Sequence, residues 1–498
     1  MYISTRGNYE AVSAAEAILL GMVPAGGLFV PQDLPSITKD QLKELVGKAY
    51  QQVARFLLPL FLEGFTQEEI DFCIEKAYNH KNFYHPQLAP LHKMEDNIFF
   101  LELWHGPTAA FKDMALQIIP YFLSLAKKKA GEEKETVILV ATSGDTGKAA
   151  LEGFKDVQGI KIVVFYPYQG VSQIQELQMV TTDGSNTFVV AVEGNFDDCQ
   201  NAVKTIFKDA NFKSKLQEAG FKLSSANSIN WGRLLPQIVY YFWAYLRLIA
   251  EGEISWGEEI NFVVPTGNFG NILAAWYASS MGLPVYKLIC ASNENKVLTD
   301  FFNTGKYDRN RPFKQTNSPS MDILISSNLE RFLFEVSGHD AGRVGEWMEK
   351  LQQTGCFSVD PLLKEKMLGI IAPGFATEED TLQTIKDTYF EKGYTIDTHT
   401  AVGLKVYREY SSMTGDKRKT VIAATASPFK FASSVLEAIK GGDFIRGKNE
   451  LLILKELSEI SKMPVHPALR DLEQKKVRHR TLCKREEIRE QVEHILQL

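Results

Sequence analysis

The sequence is poor in three things: cysteine, an excess of charge of one sign, and long apolar runs. Its five cysteines are scattered over 498 residues without a Cys-x-x-Cys pair, which argues against a disulfide framework and a zinc site. Lys and Arg total 55 against 61 Asp and Glu, so no strong positive field attracts nucleic acid or anionic lipid. The most apolar stretch, residues 238–250, contains Arg247 and is shorter than the roughly 20 residues that cross a membrane. We therefore expect neither nucleic acid nor a membrane as a partner.

The same features indicate the cellular setting. Scattered cysteines are typical of a reducing compartment, and residues 1–7 lack the apolar core of a secretory signal, so we expect a cytoplasmic protein. Hydrophobic residues make up 45% of the chain and charged residues 23%, which is the usage of a globular protein rather than a disordered one. A monomer and a dimer are equally compatible with this composition.

Hydrophobic spacing divides the chain into three predicted regions. In residues 1–90 apolar residues recur every three or four positions, most clearly in 39–56 and 66–77, which predicts a mainly helical N-terminal lobe. In residues 91–435 short apolar runs alternate with glycine-containing loops and helical segments, which predicts an α/β catalytic region with mostly parallel strands. Residues 436–498 are expected to form a C-terminal helical segment.

Seven apolar runs of the middle region read as strands that extend one open sheet with helices on its faces. A ligand of such a sheet lies at the carboxyl ends of the strands, so the loops that follow the strands are the candidate site. The predicted strands are residues 98–103, 137–141, 162–166, 187–192, 261–264, 286–291 and 420–424.

Lys112 is the first candidate catalytic residue. It follows a Gly-Pro loop in residues 104–113 and falls just inside a predicted helix N-terminus. The helix dipole and burial both disfavour an ammonium at such a position, and a neutral lysine amine forms a Schiff base with a carbonyl compound such as pyridoxal phosphate. The alternative interpretation is a solvated lysine in the first turn of a surface helix.

Two glycine-rich loops, residues 143–147 and 265–271, each lie between a predicted strand and a predicted helix. Converging backbone N–H groups and the dipole of the following helix make such loops suitable for phosphate or carboxylate groups, although ordinary turns can look the same. Neither loop matches a nucleotide-binding signature. An amine nucleophile with two anion sites suits a phosphorylated aldehyde cofactor and an amino-acid substrate.

Four motifs, in this order, resemble those of the threonine synthases, and further similarity extends from about residue 2 to 431. The resemblance implies a fold-type-II pyridoxal-phosphate enzyme: open, mostly parallel sheets with helices on both faces, in two subdomains, and a helical N-terminal lobe. It also implies conversion of O-phospho-L-homoserine and water to L-threonine and phosphate, the last step of threonine biosynthesis. The motifs are residues 106–113, 143–147, 227–233 and 267–271.

The resemblance also implies roles for individual residues. Lys112 would hold the cofactor as a Schiff base and then act as the base, and the Thr425 hydroxyl would face the pyridine nitrogen. The cofactor phosphate would be bound by Gly267, Asn268, Phe269, Gly270 and Asn271. The substrate would be bound by Ser143, Gly144, Asp145 and Thr146 at its α-carboxylate, and by Ser228, Asn230 and Arg233 at its phosphate.

Several assignments have alternatives. A carboxylate at Asp145 would repel the cofactor phenolate, so its role is left open, and Arg233 could equally cap the helix predicted for 234–249. His105 and His399 are acid/base candidates that are more often packed histidines. Ser427, two residues after Thr425, stands where this family usually has His, which is a departure from the family pattern.

Two other functions compete with the synthase reaction. One is another pyridoxal-phosphate reaction, a dehydratase or β-replacement synthase acting on serine or its esters. The other is a non-catalytic relative that binds an amino-acid phosphate. The basic cluster within residues 475–485 is followed by acidic residues, which predicts a solvated terminal helix rather than a nucleic-acid site.

Overall fold

A computed structural model describes residues 1–142 and 144–498, so Ser143 lies outside the described residues. Its strands are β1 Tyr2–Ser4, β2 Phe29–Pro31, β3 Leu91–Glu95, β4 Ile98–Glu102, β5 Glu135–Ala141, β6 Ile160–Pro167, β7 Thr187–Glu193, β8 Phe221–Ser224, β9 Ile260–Pro265, β10 Val285–Ser292, β11 Lys306–Asp308, β12 Cys356–Ser358, β13 Ile371–Phe375, β14 Thr420–Ala424 and β15 Thr481–Lys484.

The helices surround these strands and connect them. They are α1 Ala14–Leu20, α2 Lys39–Glu44, α3 Tyr50–Leu57, α4 Gln67–Ala77, α5 Asp113–Leu116, α6 Ile119–Lys129, α7 Asp145–Phe154, α8 Gln173–Val180, α9 Phe196–Lys208, α10 Ala210–Glu218, α11 Trp231–Ala250, α12 Gly270–Ser280, α13 Val297–Thr304, α14 Leu329–Val336, α15 Ala341–Thr354, α16 Pro361–Ile370, α17 Glu378–Lys392, α18 Thr398–Thr414, α19 Ala432–Lys440, α20 Gly442–Ile445, α21 Glu450–Ser461 and α22 Ile488–Leu496.

Two larger sheets carry the fold, which corrects the single sheet expected from the strand pattern. One has six strands in the order β13-β10-β9-β14-β4-β3, all parallel except the pair β3 and β4, and the other has five parallel strands in the order β15-β7-β6-β5-β8. All seven predicted strands are present. The expected fold class, with mostly parallel sheets covered by helices, is confirmed.

The N-terminal region is mainly helical, as predicted, with a two-stranded antiparallel sheet of β1 and β2. The helix expected over residues 39–56 is divided into α2 and α3, because Gly47 between them adopts a left-handed φ of 73° that a continuous helix cannot contain. Helix α4 begins after Thr66, whose side chain accepts from the Glu69 N–H in a capping box.

The C-terminal segment is not purely helical, in contrast to the prediction. Strand β15 pairs in parallel with β7 and completes the edge of the five-stranded sheet, while α21 packs beside α19 at the other sheet. The basic residues 475–480 precede β15 outside any α-helix, so the predicted solvated terminal helix was wrong at this place. The open edge of β7 supplies backbone partners that outweigh local helix preference.

No helix in the described ranges combines the length and the apolar character that crossing a membrane demands.

Candidate active site

The loops after β4 and β14 meet at Lys112. The Phe111 N–H donates to the Thr425 carbonyl at 2.8 Å, and the Ser427 N–H donates to the Ala109 carbonyl at 3.0 Å. These bonds arise because β4 and β14 are adjacent parallel strands, so the loops leave the same edge of the sheet. Lys112 and Thr425, which are distant in sequence, are therefore held side by side.

The third loop of this edge follows β9, the other neighbour of β14, and contains residues 267–271. Phe269 has a left-handed φ of 61°, and α12 begins directly afterwards at Gly270. No backbone carbonyl in the described part of the chain accepts from the N–H groups of residues 267–271. Unpaired donors at a helix N-terminus form a site suited to phosphate.

Two further observations are consistent with the binding of an anion by this loop. A Cβ at Gly267 would lie 2.8 Å from the Ser320 carbonyl oxygen, so the loop approaches the Ser320 segment as closely as a glycine allows. The Asn271 Oδ1 accepts from the hydroxyls of Tyr240 and Tyr241 at 2.5 Å each, which fixes the amide orientation. Its Nδ2 is buried without a partner among the described residues.

The side chain of Lys112 is only 11% exposed, so this residue is not a solvated surface lysine. Its Nζ donates to Ser320 Oγ at 3.2 Å and lies 3.6 Å from Asp145 Oδ2. Burial lowers the pKa of Lys112 to about 8, against the opposing effect of Asp145 and with the help of Lys430 and Arg233. Burial thus increases the fraction of the free amine that the sequence led us to expect, whereas α5 has only four residues and a weak dipole.

Asp145, whose role the sequence left open, belongs to a buried charge network. It begins α7, and its Oδ1 lies 2.8 Å from the Lys430 Nζ and accepts from Gln175 Nε2 at 3.0 Å. Burial opposes ionisation of Asp145, but Lys430 and Lys112 outweigh burial and lower the pKa of its carboxyl. The repulsion expected at this position is therefore relieved by Lys430, a residue that sequence reasoning missed.

Arg233 lies in the first turn of α11 with its guanidinium buried. Its Nη1 donates to the Ala226 carbonyl at 3.0 Å, and no carboxylate of residues 1–142 or 144–498 pairs with it. Burial alone lowers its pKa to about 10. A buried cation without a resident counter-ion is suited to bind an anion from outside the chain.

Asn230 has a different role from the predicted contact with substrate. Its Oδ1 accepts from the Gly232 N–H at 2.9 Å, and its Nδ2 donates to the carbonyls of Ile18 and Ser225. This amide is committed to capping α11 because all its hydrogen-bonding groups already have partners in the chain. Ser228 differs from Asn230 in that its side chain has one hydrogen-bond contact among the described residues, at 3.3 Å between its Oγ and Ser327 Oγ.

The other predicted carboxylate-binding residues flank the start of α7. Gly144 has φ 135°, and a Cβ there would lie 2.4 Å from the Gln175 side chain, so this position requires glycine. The Gly144 N–H donates to Thr142 Oγ1 at 3.0 Å, and Thr146 is half-buried. Ser143 is outside the described residues.

The two candidate histidines are packed. His399 Nε2 accepts from the Ser320 N–H at 3.2 Å, so the ring proton lies on Nδ1, which donates to Asp397 at 3.1 Å. His399 therefore orients Ser320. His105 contacts Glu102 at 2.7 Å and stacks on Trp104 with ring centroids 4.1 Å apart.

Three residues that contact this site were not predicted as site residues: Ser320, Gln175 and Lys430. Ser320 lies between Lys112 and Asp145, and its only sequence signal is that it falls within residues 2–431, over which the chain resembles the threonine synthases. Lys430 is flanked by two phenylalanines, and nothing in that pattern separates a buried lysine from an exposed one.

Comparison with known proteins agrees with this geometry. Residues 1–78 match the family model "Threonine synthase N terminus", residues 83–361 match "Pyridoxal-phosphate dependent enzyme", and residues 400–493 match "Threonine synthase, C-terminal". A threonine synthase of Methylobacillus glycogenes is 38% identical, over 88% of this chain and 92% of its own length. The human protein named threonine synthase-like 1 is 41% identical over 94% of this chain, which spans 64% of that relative's length.

Solved structures give the same relationship. The PLP-bound threonine synthase from Brucella melitensis is 37% identical, with a TM-score of 0.88 and coverage of 100% of this chain and 99% of its own. Yeast threonine synthase is 33% identical, with a TM-score of 0.89 and coverage of 100% and 98%.

Proposed function

Because the chain belongs to the threonine synthase family of pyridoxal-phosphate-dependent enzymes, we propose that it converts O-phospho-L-homoserine and water to L-threonine and phosphate. The observation that carries this proposal is the charge balance of the site. Asp145 is paired with Lys430 and lies near Lys112, whereas Arg233 adds a positive charge for which the described residues supply no carboxylate partner. A substrate with both a carboxylate and a phosphate complements this excess of positive charge.

The cofactor of this family fits the residues present. Lys112 would hold its aldehyde carbon, the N–H groups of residues 267–271 its phosphate, and the Thr425 hydroxyl its pyridine nitrogen. When bound, pyridoxal phosphate supplies an electron sink for the bonds at the substrate Cα. A neutral hydroxyl at Thr425 offers a hydrogen bond without the negative charge that a carboxylate would bring.

Lys112 is the base of the proposed reaction. Its amine, once released from the cofactor, would take protons from Cα and Cβ of the substrate and return one to Cγ after phosphate leaves. The hydroxyl of a water molecule then adds at Cβ, the second proton of that water leaves with the phosphate, and the proton still held by Lys112 returns to Cα. A pKa of about 8 leaves a useful fraction of both protonation states near neutral pH, as a residue that accepts and donates protons requires.

Arg233 would neutralise the departing phosphate, with Ser228 as a further donor. A guanidinium can hold two phosphate oxygens at once, and Arg233 has no ion pair with the residues that the structure describes. Thr146, with Ser143, would bind the α-carboxylate at the start of α7, and Gly144, whose N–H donates to Thr142 Oγ1, would shape the turn there rather than donate to the substrate. Asn230 would act indirectly, by fixing the turn from which Arg233 projects.

The reaction is tested by product analysis of the full-length chain loaded with pyridoxal phosphate. Given phosphohomoserine, it should release equal amounts of threonine and inorganic phosphate, and Lys112→Ala should release neither. Pyruvate from serine, or 2-oxobutyrate as the main product with no threonine, would replace the synthase assignment by a lyase one. Binding of phosphohomoserine without any product would instead favour the non-catalytic alternative.

Replacing Arg233 tests the phosphate site. Arg233→Met keeps a side chain of similar volume and removes its charge. We expect kcat/KM for phosphohomoserine to fall about 100-fold, because a lost hydrogen bond to a charged group costs about 3 kcal/mol. The matched control is Arg247→Met, because Arg247 lies on the same helix and pairs with Glu251. Equal activity of the two variants would contradict the assignment of Arg233.

Two further expectations accompany the reaction. We retain residues 1–90, 91–435 and 436–498 as the helical lobe, the catalytic region and the C-terminal segment. A cytoplasmic setting is supported by the five free cysteines, four of which are buried. Cell fractionation with an antibody to the chain would test this location.

A further inference from the structure

A buried lysine, Lys430, lies beside the site without a part in the steps proposed above. It belongs to the 3₁₀ turn Pro428–Phe431 after β14, and its side chain is 0% exposed. Its Nζ donates to the Thr108 carbonyl at 3.0 Å and lies 2.8 Å from Asp145 Oδ1. An ammonium is costly to bury, so its constant partner is expected to be a carboxylate.

Asp145 is placed between two lysines, and each of its oxygens faces a different one. Oδ1 contacts the Lys430 Nζ, whereas Oδ2 lies 3.6 Å from the Lys112 Nζ and accepts from Ser320 Oγ at 3.3 Å. One carboxylate charge can balance only one of the two amines. The shorter distance and the complete burial of Lys430 assign the ion pair to Lys430 rather than to Lys112.

We propose that Lys430 is the permanent counter-ion of Asp145, and that this pairing makes the Lys112 ammonium easier to deprotonate, so that its neutral amine can hold the cofactor. In the absence of Lys430, the buried Asp145 carboxylate would draw a proton onto Lys112 to obtain its counter-ion. Lys430 is thus a positioning residue, since it acts through Asp145. The proposal rests on the role of Lys112 in the proposed function.

The charges that face Lys112 come from separate elements. They are Asp145 at the start of α7, Lys430 in the turn after β14, and Arg233 on α11. Asp145 raises the pKa of Lys112, and both cations lower it, in addition to the larger lowering by burial. Two hydrogen bonds complete the surroundings: the Lys112 Nζ donates to Ser320 Oγ, and the Ser320 N–H donates to His399 Nε2.

On its other side Lys430 faces the segment that leads into α5. Thr108 donates through its N–H and its hydroxyl to Asp113 at 2.8 and 2.7 Å, and burial raises the pKa of Asp113 to about 7. His466 is a second titratable neighbour, whose pKa burial lowers to about 3, so it is uncharged at neutral pH. Among the described residues neither side chain forms a hydrogen bond or ion pair with the Lys112 amine, and neither residue is substituted in the test.

The test measures the pKa of the Lys112 amine in the full-length chain after removal of the cofactor. Competitive acetylation at pH 5–11, read by mass spectrometry of the peptide with Lys112, gives this pKa without any turnover. In Lys430→Met we expect it to rise by about 1 unit or more, as for an amine that acquires a carboxylate partner. An unchanged or lower value would overturn the proposal.

A second variant separates charge from packing. Adding Asp145→Asn to Lys430→Met removes the carboxylate that demands a counter-ion, so the pKa of Lys112 should return to the wild-type value or below it. A raised pKa that persists in the double variant would overturn the proposal. In the loaded enzyme, the pH at which the visible absorption of the cofactor changes should move in the same directions.

The matched control is Lys148→Met. Lys148 is also buried and lies on α7, but it pairs with Glu152 and Thr182 rather than with Asp145. The Lys148→Met variant should leave the pKa of Lys112 unchanged. A rise in that pKa equal to the rise in Lys430→Met would overturn the specific role of Lys430. If Lys430→Met does not fold by circular dichroism, Lys430→Gln keeps a donor for the Thr108 carbonyl, and the same rise is required of it.

These outcomes are distinguishable from failure of the proposed function. The amine titration contains no substrate, so a chain that makes no threonine can still show the expected shifts. Conversely, normal threonine formation with an unmoved pKa in both Lys430 variants would reject the pairing and keep the reaction.

Discussion

Gly267 offers a direct test of how the loop after β9 is held. A Cβ added there would lie 2.8 Å from the Ser320 carbonyl oxygen and 3.2 Å from the Met321 Cα. Both are backbone atoms, so no rotation of a side chain relieves the contact. The φ of Gly267 is not in the left-handed region, so alanine meets no backbone strain and the effect of Gly267→Ala is purely steric.

The magnitude follows from the displacement. The contact must open by about 0.6 Å, from 2.8 to 3.4 Å, to reach ordinary van der Waals separation. Overpacking of this kind costs about 1–3 kcal/mol. Ser320 contacts the Lys112 Nζ at 3.2 Å, so its displacement also disturbs the amine that would hold the cofactor. We expect the affinity for pyridoxal phosphate to fall about 10- to 100-fold, at about 1.4 kcal/mol for each factor of ten.

The assay is a titration of the cofactor-free chain with pyridoxal phosphate, followed by visible absorption. The matched control is Gly345→Ala on α15, where a Cβ meets nothing within 4 Å. The control should keep its affinity and gain about 0.5–1 kcal/mol of stability, because alanine is the better helix former. A Gly267→Ala affinity within twofold of wild type would refute the steric reasoning.

Two further predictions concern the same region. Because burial lowers the pKa of Lys112 to about 8, the rate of cofactor attachment should rise with pH, reach half its maximum near pH 8 and level off above; a midpoint near the ordinary lysine value would contradict this. In Gly153→Ala the new Cβ would lie 1.9 Å from the Leu116 carbonyl oxygen, which forces α7 away from α5. Thermal unfolding should show a lower Tm for this variant, by a loss of at least about 1–3 kcal/mol, whereas an unaltered Tm would contradict the helix contact.

The positions of the strands were predictable because their residues are apolar on both faces. Residues 137–140 and 162–165 are continuous apolar runs, as expected for parallel strands between two helical layers. Their assignment to a sheet was not predictable, since nothing in the runs specifies the partner strand. The pattern therefore predicted a single sheet where the structure has two. Strand β15 was not predicted, because its pairing with β7 outweighs the conformational preference of its own residues.

The candidate site was predictable to different degrees. Lys112 and the loop of residues 267–271 could be proposed from sequence, because a lysine and a glycine-rich turn indicate particular chemistry and each follows a strand. Asn230 was misassigned, since an amide that caps a helix and one that binds a ligand look alike in sequence. The burial of Lys430 could not be predicted from sequence, because it depends on contacts with Thr108 and Asp145 from distant parts of the chain.

The order of strands in the six-stranded sheet has a consequence for biosynthesis of the chain. Strand β14 separates β9 from β4 in the sheet, yet it comes after both in sequence. A nascent chain shorter than about 420 residues therefore holds β3 and β4 without the strand that joins them to β9, β10 and β13. The loops that we propose to bind pyridoxal phosphate are brought together only when synthesis is nearly finished, so the cofactor is not expected to act as a template for early folding on the ribosome.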